Sequence, residues 1–316
     1  ARAAAAELAD DAGEQLAAAH LRAVADYWND RVEAWTIDSA GGHYLRLAGS
    51  GDIGPDFLEL VRRGLRAPDD PRVTGSLAAV DAALKAELPT GVAWRRHTGD
   101  TYGESDSGEG WTKGSDRAGG HRGRPWPLLA GERAFHLLAL GRPVLEMVES
   151  IEGFAGPELL IPEQVWDGPA LPQARLTPGG PTHSARPLAW AHAEYLRLLA
   201  AISTGTLPDV VQPARRRGAH IAPAEPAFVW SHAHQVPSIP PGRRLKVQLE
   251  RPGHLLWTAD GWATRAEVAT REAGLGLWVG ELPTPIMRPG AALDWTVRYE
   301  DGWEGANYRL TCLAAD

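Results

Sequence analysis

The chain has 316 residues, of which 44% are apolar and 23% charged, the balance of an ordinary globular protein. Its net charge of −8 argues against nucleic acid and anionic membrane as partners. No run of about 20 apolar residues is present, so no helix is expected to span a membrane, and the single cysteine, Cys312, excludes an internal disulfide and a cysteine metal cluster.

The length fits two domains or one large one. The thirteen tryptophans, against four phenylalanines, are the outlying count. Indole rings add core mass, and they also make flat apolar platforms with a donor at one edge, on which sugar rings stack. The chain begins at Ala1 inside a helical pattern, with no Met and no signal peptide, and reads as a piece of something longer.

Residues 1 to about 35 read as a helix or helical pair, with Leu21, Val24, Trp28, Val32 and Trp35 on one face. Asp56 to Leu65 is a short helix beside Pro55. Pro71 opens the next, carried to Leu88 by apolar residues at helical spacing and stopped by Pro89. Thr90 to Pro127 has no periodicity and is dense in Gly, Asp, Arg and Trp; a loop of that length with aromatics and paired charges is functional rather than disordered. Helical patterns return from Leu128 to about Leu140 and from Pro143 to about Ile151. A second long loop, Gly153 to Ala185, precedes a helix from Arg186 to Ile202 with Leu188, Tyr195, Leu198, Leu199 and Ile202 on its apolar side. That makes about six helices, with nothing that reads as a strand pair.

Residues 207–225 read as a linker carrying Arg215-Arg216-Arg217. Beyond it the period changes to two. Arg244 to Leu249, Leu275-Leu277-Val279 and Leu293-Trp295-Val297-Tyr299 alternate, separated by Pro-Gly and Asp-Gly pairs, so residues 226–316 are expected to form a small antiparallel β-sandwich. His220, His232 and His234 fit no standard metal-ligand spacing, and no metal is expected.

The centre of the second loop is Leu159-Leu160-Ile161-Pro162-Glu163-Gln164-Val165-Trp166-Asp167. It sets one carboxylate, Glu163, among Pro, Trp and aliphatic residues, as either a satisfied structural group or a proton acceptor. Upstream, Arg96 and Asp100 stand in Arg-x-x-x-Asp-Thr-Tyr, with Trp126 in Arg-Pro-Trp-Pro-Leu-Leu-x-Gly-Glu-Arg; downstream come Ser184-Ala-x-x-Leu-x-Trp190 and Trp190-Ala-His-Ala-Glu-Tyr.

In order and approximate spacing over roughly residues 20 to 200, these motifs resemble glycoside hydrolase family 15, the glucoamylases and glucodextranases. The β module, with Trp257-Thr-Ala-Asp-Gly-Trp262 and Trp303-Glu-Gly, looks like the domain that follows the barrel in glucodextranase-like proteins. The resemblance implies an all-α (α/α)6 barrel. Twelve helices are needed, so residues 1–206 would be its C-terminal part, incomplete at the N-terminus. It implies a secreted, monomeric, exo-acting enzyme that needs no cofactor. Such an enzyme inverts the anomeric centre and releases β-D-glucose from non-reducing ends of α-1,4- or α-1,6-linked glucans.

Glu163 matches the family's general base. Arg96 and Asp100 match residues that hydrogen-bond the sugars at the scissile bond, Tyr102 and Trp126 the aromatics of the same pocket, and Ser184 and Trp190 the pair beside the base. From the residues alone, Arg96–Asp100 is equally an ion pair bracing a loop, Trp126 a wedge between prolines and Trp190 a core residue of its helix. The family's general acid sits in a Trp-Glu-Glu motif, which does not occur in this sequence, and neither Glu104 nor Glu132 is put in its place. The family commonly has Tyr where His97 stands and Gly where His183 stands. The rival reading is a carbohydrate-binding or accessory protein with a non-catalytic pocket.

Overall fold

A computed structural model of the chain describes residues 1–219 and 227–314. It divides into two compact units, Glu33–Val211 and a second made of Ala1–Val32 with Gln212–Asp316.

The second unit begins with α1 (Arg2–Asp11) and α2 (Gln15–Thr36), whose first part belongs here. Its eight-residue helix α8 (Gln212–Ala219) takes up the middle of the segment that reads as a linker in sequence. Arg-rich and short of apolar spacing, α8 leaves little trace in a periodicity search. Arg216 in it pairs with Glu7 of α1 at 2.6 Å. The strands form two sheets, in order β4–β11–β10–β6–β7 and β3–β5–β9–β8. Here β3 is Phe228–Trp230, β4 Ser238–Ile239, β5 Leu245–Leu249, β6 His254–Thr258 and β7 Ala266–Ala269. The last four are β8 (Arg271–Gly274), β9 (Leu277–Leu282), β10 (Ala292–Tyr299) and β11 (Gly302–Cys312).

Pairing is antiparallel except for β11 with β4 and β3 with β5. The period of two is visible in burial: Leu245, Val247 and Leu249 point inward, as do Leu293, Trp295 and Val297. Trp230 of one sheet meets Trp295 and Tyr308 of the other edge-on, at 5.6 and 4.5 Å between ring centroids. In β9 the expected face is reversed. Leu275 is an exposed turn residue with positive φ, and Gly280 and Leu282 point inward. Leu277 packs instead on Ala6, Ala9, Ala17, Ala18 and Leu21 of the two helices. That apolar cluster ties Ala1–Val32 to the strands, where the sequence grouped it with the other helices.

The first unit holds α3 (Leu58–Arg62), α4 (Pro71–Leu84), α5 (Pro127–Ala139), α6 (Leu145–Ala155) and α7 (Ala189–Thr204). Asp70 caps α4, accepting from Arg72 N at 2.8 Å, with Pro71 in the first helical position. The helical reading to Leu88 fails at Leu84, where the chain turns into β1 (Lys85–Leu88), paired antiparallel with β2 (Gly91–Trp94). Pro89-Thr90 makes a two-residue hairpin turn, and Leu84 and Leu88 happen to satisfy both periods. This strand pair corrects the expectation of helices alone in this part of the chain.

Helix α5 is central, packing on α3, α6, α7 and β2. Gly131 lets α7 approach, since a Cβ there would come within 2.8 Å of Glu194 Cγ. Glu194 is therefore on the inner face of α7 with Ala191, Leu198 and Ala201, while Ile202, expected inside, is exposed. Its burial is matched by a two-pronged ion pair with Arg62, at 2.8 and 2.9 Å, and Arg62 also holds Asp209 at 2.6 Å.

Candidate functional site

Strand β2 fixes the start of the site. Trp126, one residue before α5, donates its backbone N–H to Trp94 O at 2.8 Å, so the end of the strand and the head of the helix are joined. Two residues past the strand, Arg96 grips Asp100 with Nε and Nη2 at 2.8 and 2.7 Å. Asp100 also accepts from Tyr102 N at 3.0 Å, which folds the Asp-Thr-Tyr turn onto the carboxylate. Gly123 passes so close that a Cβ there would overlap that carboxylate.

The Arg96 guanidinium then lies over two rings, 4.9 Å from the centroid of Tyr102 and 5.0 Å from that of Trp126. Trp126 meets the ring of Trp190 at 6.4 Å, in the first turn of α7. Trp126 is buried, and its indole N–H has no partner among the described residues. Trp190 is 58% exposed, so it is no core residue of its helix. Arg96, Asp100, Tyr102, Trp126 and Trp190 thus form one contiguous cluster.

The stretch around Glu163 is more ordered than a loop. It runs beside 179–185 in strand-like fashion: Glu163 N donates to Ala185 O at 2.9 Å, Thr182 N to Gln164 O at 3.1 Å and Trp166 N to Gly180 O at 2.8 Å. Val165 N donates to Pro125 O at 2.9 Å, which sets this segment beside Trp126. Glu163 is itself buried, with Oε2 accepting from Ala185 N at 3.2 Å. Burial first, and then the charge of Glu163, raises the pKa of the Tyr102 phenol, and the same charge acts on Arg96. The carboxylate therefore faces the cluster. Ser184 is close by but differently employed: its hydroxyl accepts from Gln164 N at 3.1 Å and from Thr182 Oγ1 at 2.9 Å. It braces the backbone after Glu163.

Behind the cluster stands a set of contacts that the sequence does not disclose. Arg124, fully buried, stacks 4.1 Å from the Trp166 ring centroid and bonds Asp167 at 2.8 Å and the carbonyl of Glu104. Its backbone N–H donates to the Gln164 side chain at 2.9 Å. Asp167 also holds Arg95, beside Arg96. Glu104, buried, accepts from His183 N at 2.7 Å. One arginine thus joins the segment of Arg96 to that of Glu163. Both partners lie in the motifs quoted above, Arg124 in Arg-Pro-Trp-Pro and Asp167 after Trp166, without anything in spacing to say that they meet.

Beside the cluster lies a cleft of about 220 Å³, into which Arg96, His97, Glu132 and Trp190 project. Burial, and then the charge of Glu194, push the Glu132 carboxyl up to about 8. Burial also lowers the pKa of His97. Among the described residues no group of three or more His, Cys, Asp or Glu could hold a metal ion, and His220 lies outside them. No helix among them is long and apolar enough to cross a membrane.

Comparison with known proteins bears on the helical part. A glucoamylase of Clostridium sp. (strain G0005) is 34% identical over 200 residues, covering 55% of this chain and 26% of that protein. A crystal structure of a bacterial glucoamylase complexed with acarbose superposes with a TM-score of 0.60 at 31% identity, covering 69% of this chain and 34% of that one. The chain thus spans about a quarter of the curated relative and a third of the solved one. The profile of Glycosyl hydrolases family 15 matches residues 1–200, and the chain belongs to that family.

Proposed function

We propose that this chain is part of an exo-acting, inverting α-glucan hydrolase that releases β-D-glucose from non-reducing ends, with Glu163 as general base. The observation that carries the reading is the position of Glu163. It is a buried carboxylate pinned by backbone bonds on a strand-like segment, and it faces an arginine held between two aromatic rings. A carboxylate so fixed can take a proton from water, which then attacks the anomeric carbon from the face opposite the leaving oxygen. The attack inverts the α-linkage to β-glucose once a second carboxyl has protonated that oxygen. In inverting enzymes the two carboxyls stand roughly 6.5–9.5 Å apart to admit the water.

Arg96, braced by Asp100, keeps a planar donor edge toward sugar hydroxyls, and its Nη1 makes no hydrogen bond among the described residues. Tyr102, Trp126 and Trp190 supply apolar faces for the pyranose rings. Ser184 holds the backbone on which Glu163 turns. Residues 1–206 on this reading belong to an (α/α)6 barrel and residues 226–316 to a β domain that follows it. The substrate is an α-1,4- or α-1,6-linked glucan met outside the cell, and the enzyme is a monomer that uses no cofactor.

The test is proton NMR with maltotetraose and, separately, isomaltotetraose. It should use the longest chain the gene encodes, because the Trp-Glu-Glu motif of the family's acid is absent from these 316 residues. Early β-glucose from one substrate, lost in Glu163→Gln, is the expected outcome and fixes the linkage. Early α-glucose, or activity that survives the substitution, overturns the assignment. Oligosaccharide line broadening with no glucose from the longest chain would instead support the binding-protein reading.

A further inference from the structure

The two sheets of the β unit differ on their outer sides. The four-stranded sheet is covered by α1 and α2. Leu277 of β9 packs on both helices, and His20 of α2 bonds the side chain of Gln248 of β5 at 2.8 Å. Gly274 of β8 passes so close that a Cβ there would come within 2.8 Å of Glu14 Oε2. The five-stranded sheet keeps its outer side open. Leu293, Trp295 and Val297 of β10 point inward, so Asp294, Thr296 and Arg298 point out. Opposite these three on β11 stand Arg309, Asn307 and Trp303, all exposed.

Two indoles mark the ends of this open face. Trp303 is 58% exposed, across from Arg298. Trp262 is 39% exposed, on the loop after β6. That loop folds back over Thr258, whose Oγ1 accepts from Trp262 N at 3.0 Å and donates to Asp260 at 2.8 Å. Thr258 stands opposite Asp294, four residues before Arg298, so the anchors of the two rings lie about 13 Å apart along the strands and about 10 Å across them. Between them the charges are closed in pairs. Arg309 holds Asp294 through Nε and Nη2 at 2.6 and 2.8 Å, and Arg298 holds Glu267 of β7 at 2.9 Å. The side-chain amide of Asn307 makes no hydrogen bond among the described residues.

We propose that the outer face of the five-stranded sheet is a docking surface for an α-glucan chain, with Trp262 and Trp303 as stacking platforms at its ends and Asn307 and the two paired arginines as hydrogen-bonding groups between them. It is a second site, on a different unit from Glu163. A pyranose has an apolar face that lies on an indole, and hydroxyls at its rim that a planar amide or guanidinium edge can meet. A charged polymer finds no field to favour it, because each arginine on the face already holds a carboxylate. A protein partner is poorly suited too. Interface centres are depleted of charged residues, and the middle of this face is built from them. A chain long enough to touch both rings gains from both, and a short oligosaccharide gains from one, so the surface favours polymer over free ends. The choice of an α-glucan among neutral polysaccharides rests on the glucan-hydrolase reading.

The test is affinity electrophoresis of the 316-residue protein in native gels carrying amylopectin, dextran or xylan. Wild type is compared with Trp303→Ala, Trp262→Ala, the double variant and Trp303→Phe. Amylopectin or dextran should retard wild type, and xylan should not. Each alanine substitution should weaken the binding about fivefold, the worth of one aromatic contact. The double variant should lose about 25-fold, because rings this far apart share no partner. Trp303→Phe keeps a ring and should keep most of the affinity. Undiminished retardation of the double variant overturns the inference and places polymer binding elsewhere, without touching the reading of Glu163. Wild type that neither α-glucan retards, or that xylan retards equally, also overturns it, and β-glucose release by the longest chain still decides the general reading. Should the double variant fail to fold, the single variants and Trp303→Phe decide.

Discussion

Asp167 and Glu132 are both acidic side chains packed into the same helical unit, and their surroundings are opposite. Asp167 has Arg124 at 2.8 Å, with Arg95 and Arg122 also against it. Burial would raise its pKa, but the Arg124 hydrogen bond and the three guanidinium charges outweigh that and hold it below the usual carboxylate range. Glu132 has Glu194, Glu59 and Asp56 for neighbours, and burial and repulsion act on it in the same direction. The first carboxylate is satisfied by the protein and does the work of a rivet. The second makes no hydrogen bond or ion pair among the described residues. The contrast separates a carboxylate held charged by its neighbours from one that its neighbours hold neutral.

The largest effect expected is from breaking the rivet. Arg124→Met takes away one of the three arginines around buried Asp167 and the bond to the Glu104 carbonyl, and breaking a buried pair costs up to about 3–5 kcal/mol. Urea denaturation monitored by tryptophan emission would measure it. Asp167 has a folded pKa below its unfolded value, so its contribution is present above about pH 4 and is lost as the pH falls through the folded value. Wild type should therefore lose more stability than Arg124→Met between pH 6 and pH 2.5. Equal losses would mean that Asp167 does not draw its stabilisation from Arg124.

Glu132→Gln should move stability the other way. The folded state holds a proton on Glu132 that the unfolded state releases at the ordinary value of 4.5, so wild type becomes less stable as the pH rises from there to about 8, and no further. Each unit of that interval is worth at most about 1.4 kcal/mol. Glutamine removes the titration while keeping the shape. The variant should gain on wild type steadily from pH 5 to pH 8 in thermal unfolding, then run parallel to it. A variant less stable than wild type at pH 8 would show that Glu132 is ionised and paired in the folded protein.

The two carboxylates also show what a sequence can disclose. The helix from Pro127 and the alternation of Leu293, Trp295 and Val297 were legible because each follows one period over many residues. The β1–β2 hairpin was not, because Leu84 and Leu88 are four apart and Ala86 and Leu88 two apart, so both periods fit. Helix α8 was hidden by three arginines in a row. At the site, Arg96 and Asp100 are four residues apart and their pairing is local. Arg124 and Asp167 are separated by 43 residues, and nothing in spacing announces that a buried guanidinium will join them. Ser184 illustrates a finer limit. Its nearness to Glu163 could be anticipated from motif order, but that its hydroxyl serves Gln164 N depends on the register of 179–185 against 163–166.

Trp190 gives the smallest expected change in stability and the sharpest division between the two roles. At 58% exposure its indole makes one edge contact, with Trp126, and otherwise faces the cleft. Truncation of an exposed side chain stays within about 0.5 kcal/mol, so Trp190→Ala should unfold at nearly the wild-type denaturant concentration. Its apolar face is what the cleft would lose, and an aromatic–ring contact of about 1 kcal/mol corresponds to several-fold weaker binding of maltotriose or isomaltotriose, measured by calorimetric titration. A variant that is destabilised by more than about 1 kcal/mol but binds normally would make Trp190 a packing residue after all. The opposite pattern, intact stability with weakened binding, is what an indole kept at the surface for a ligand predicts.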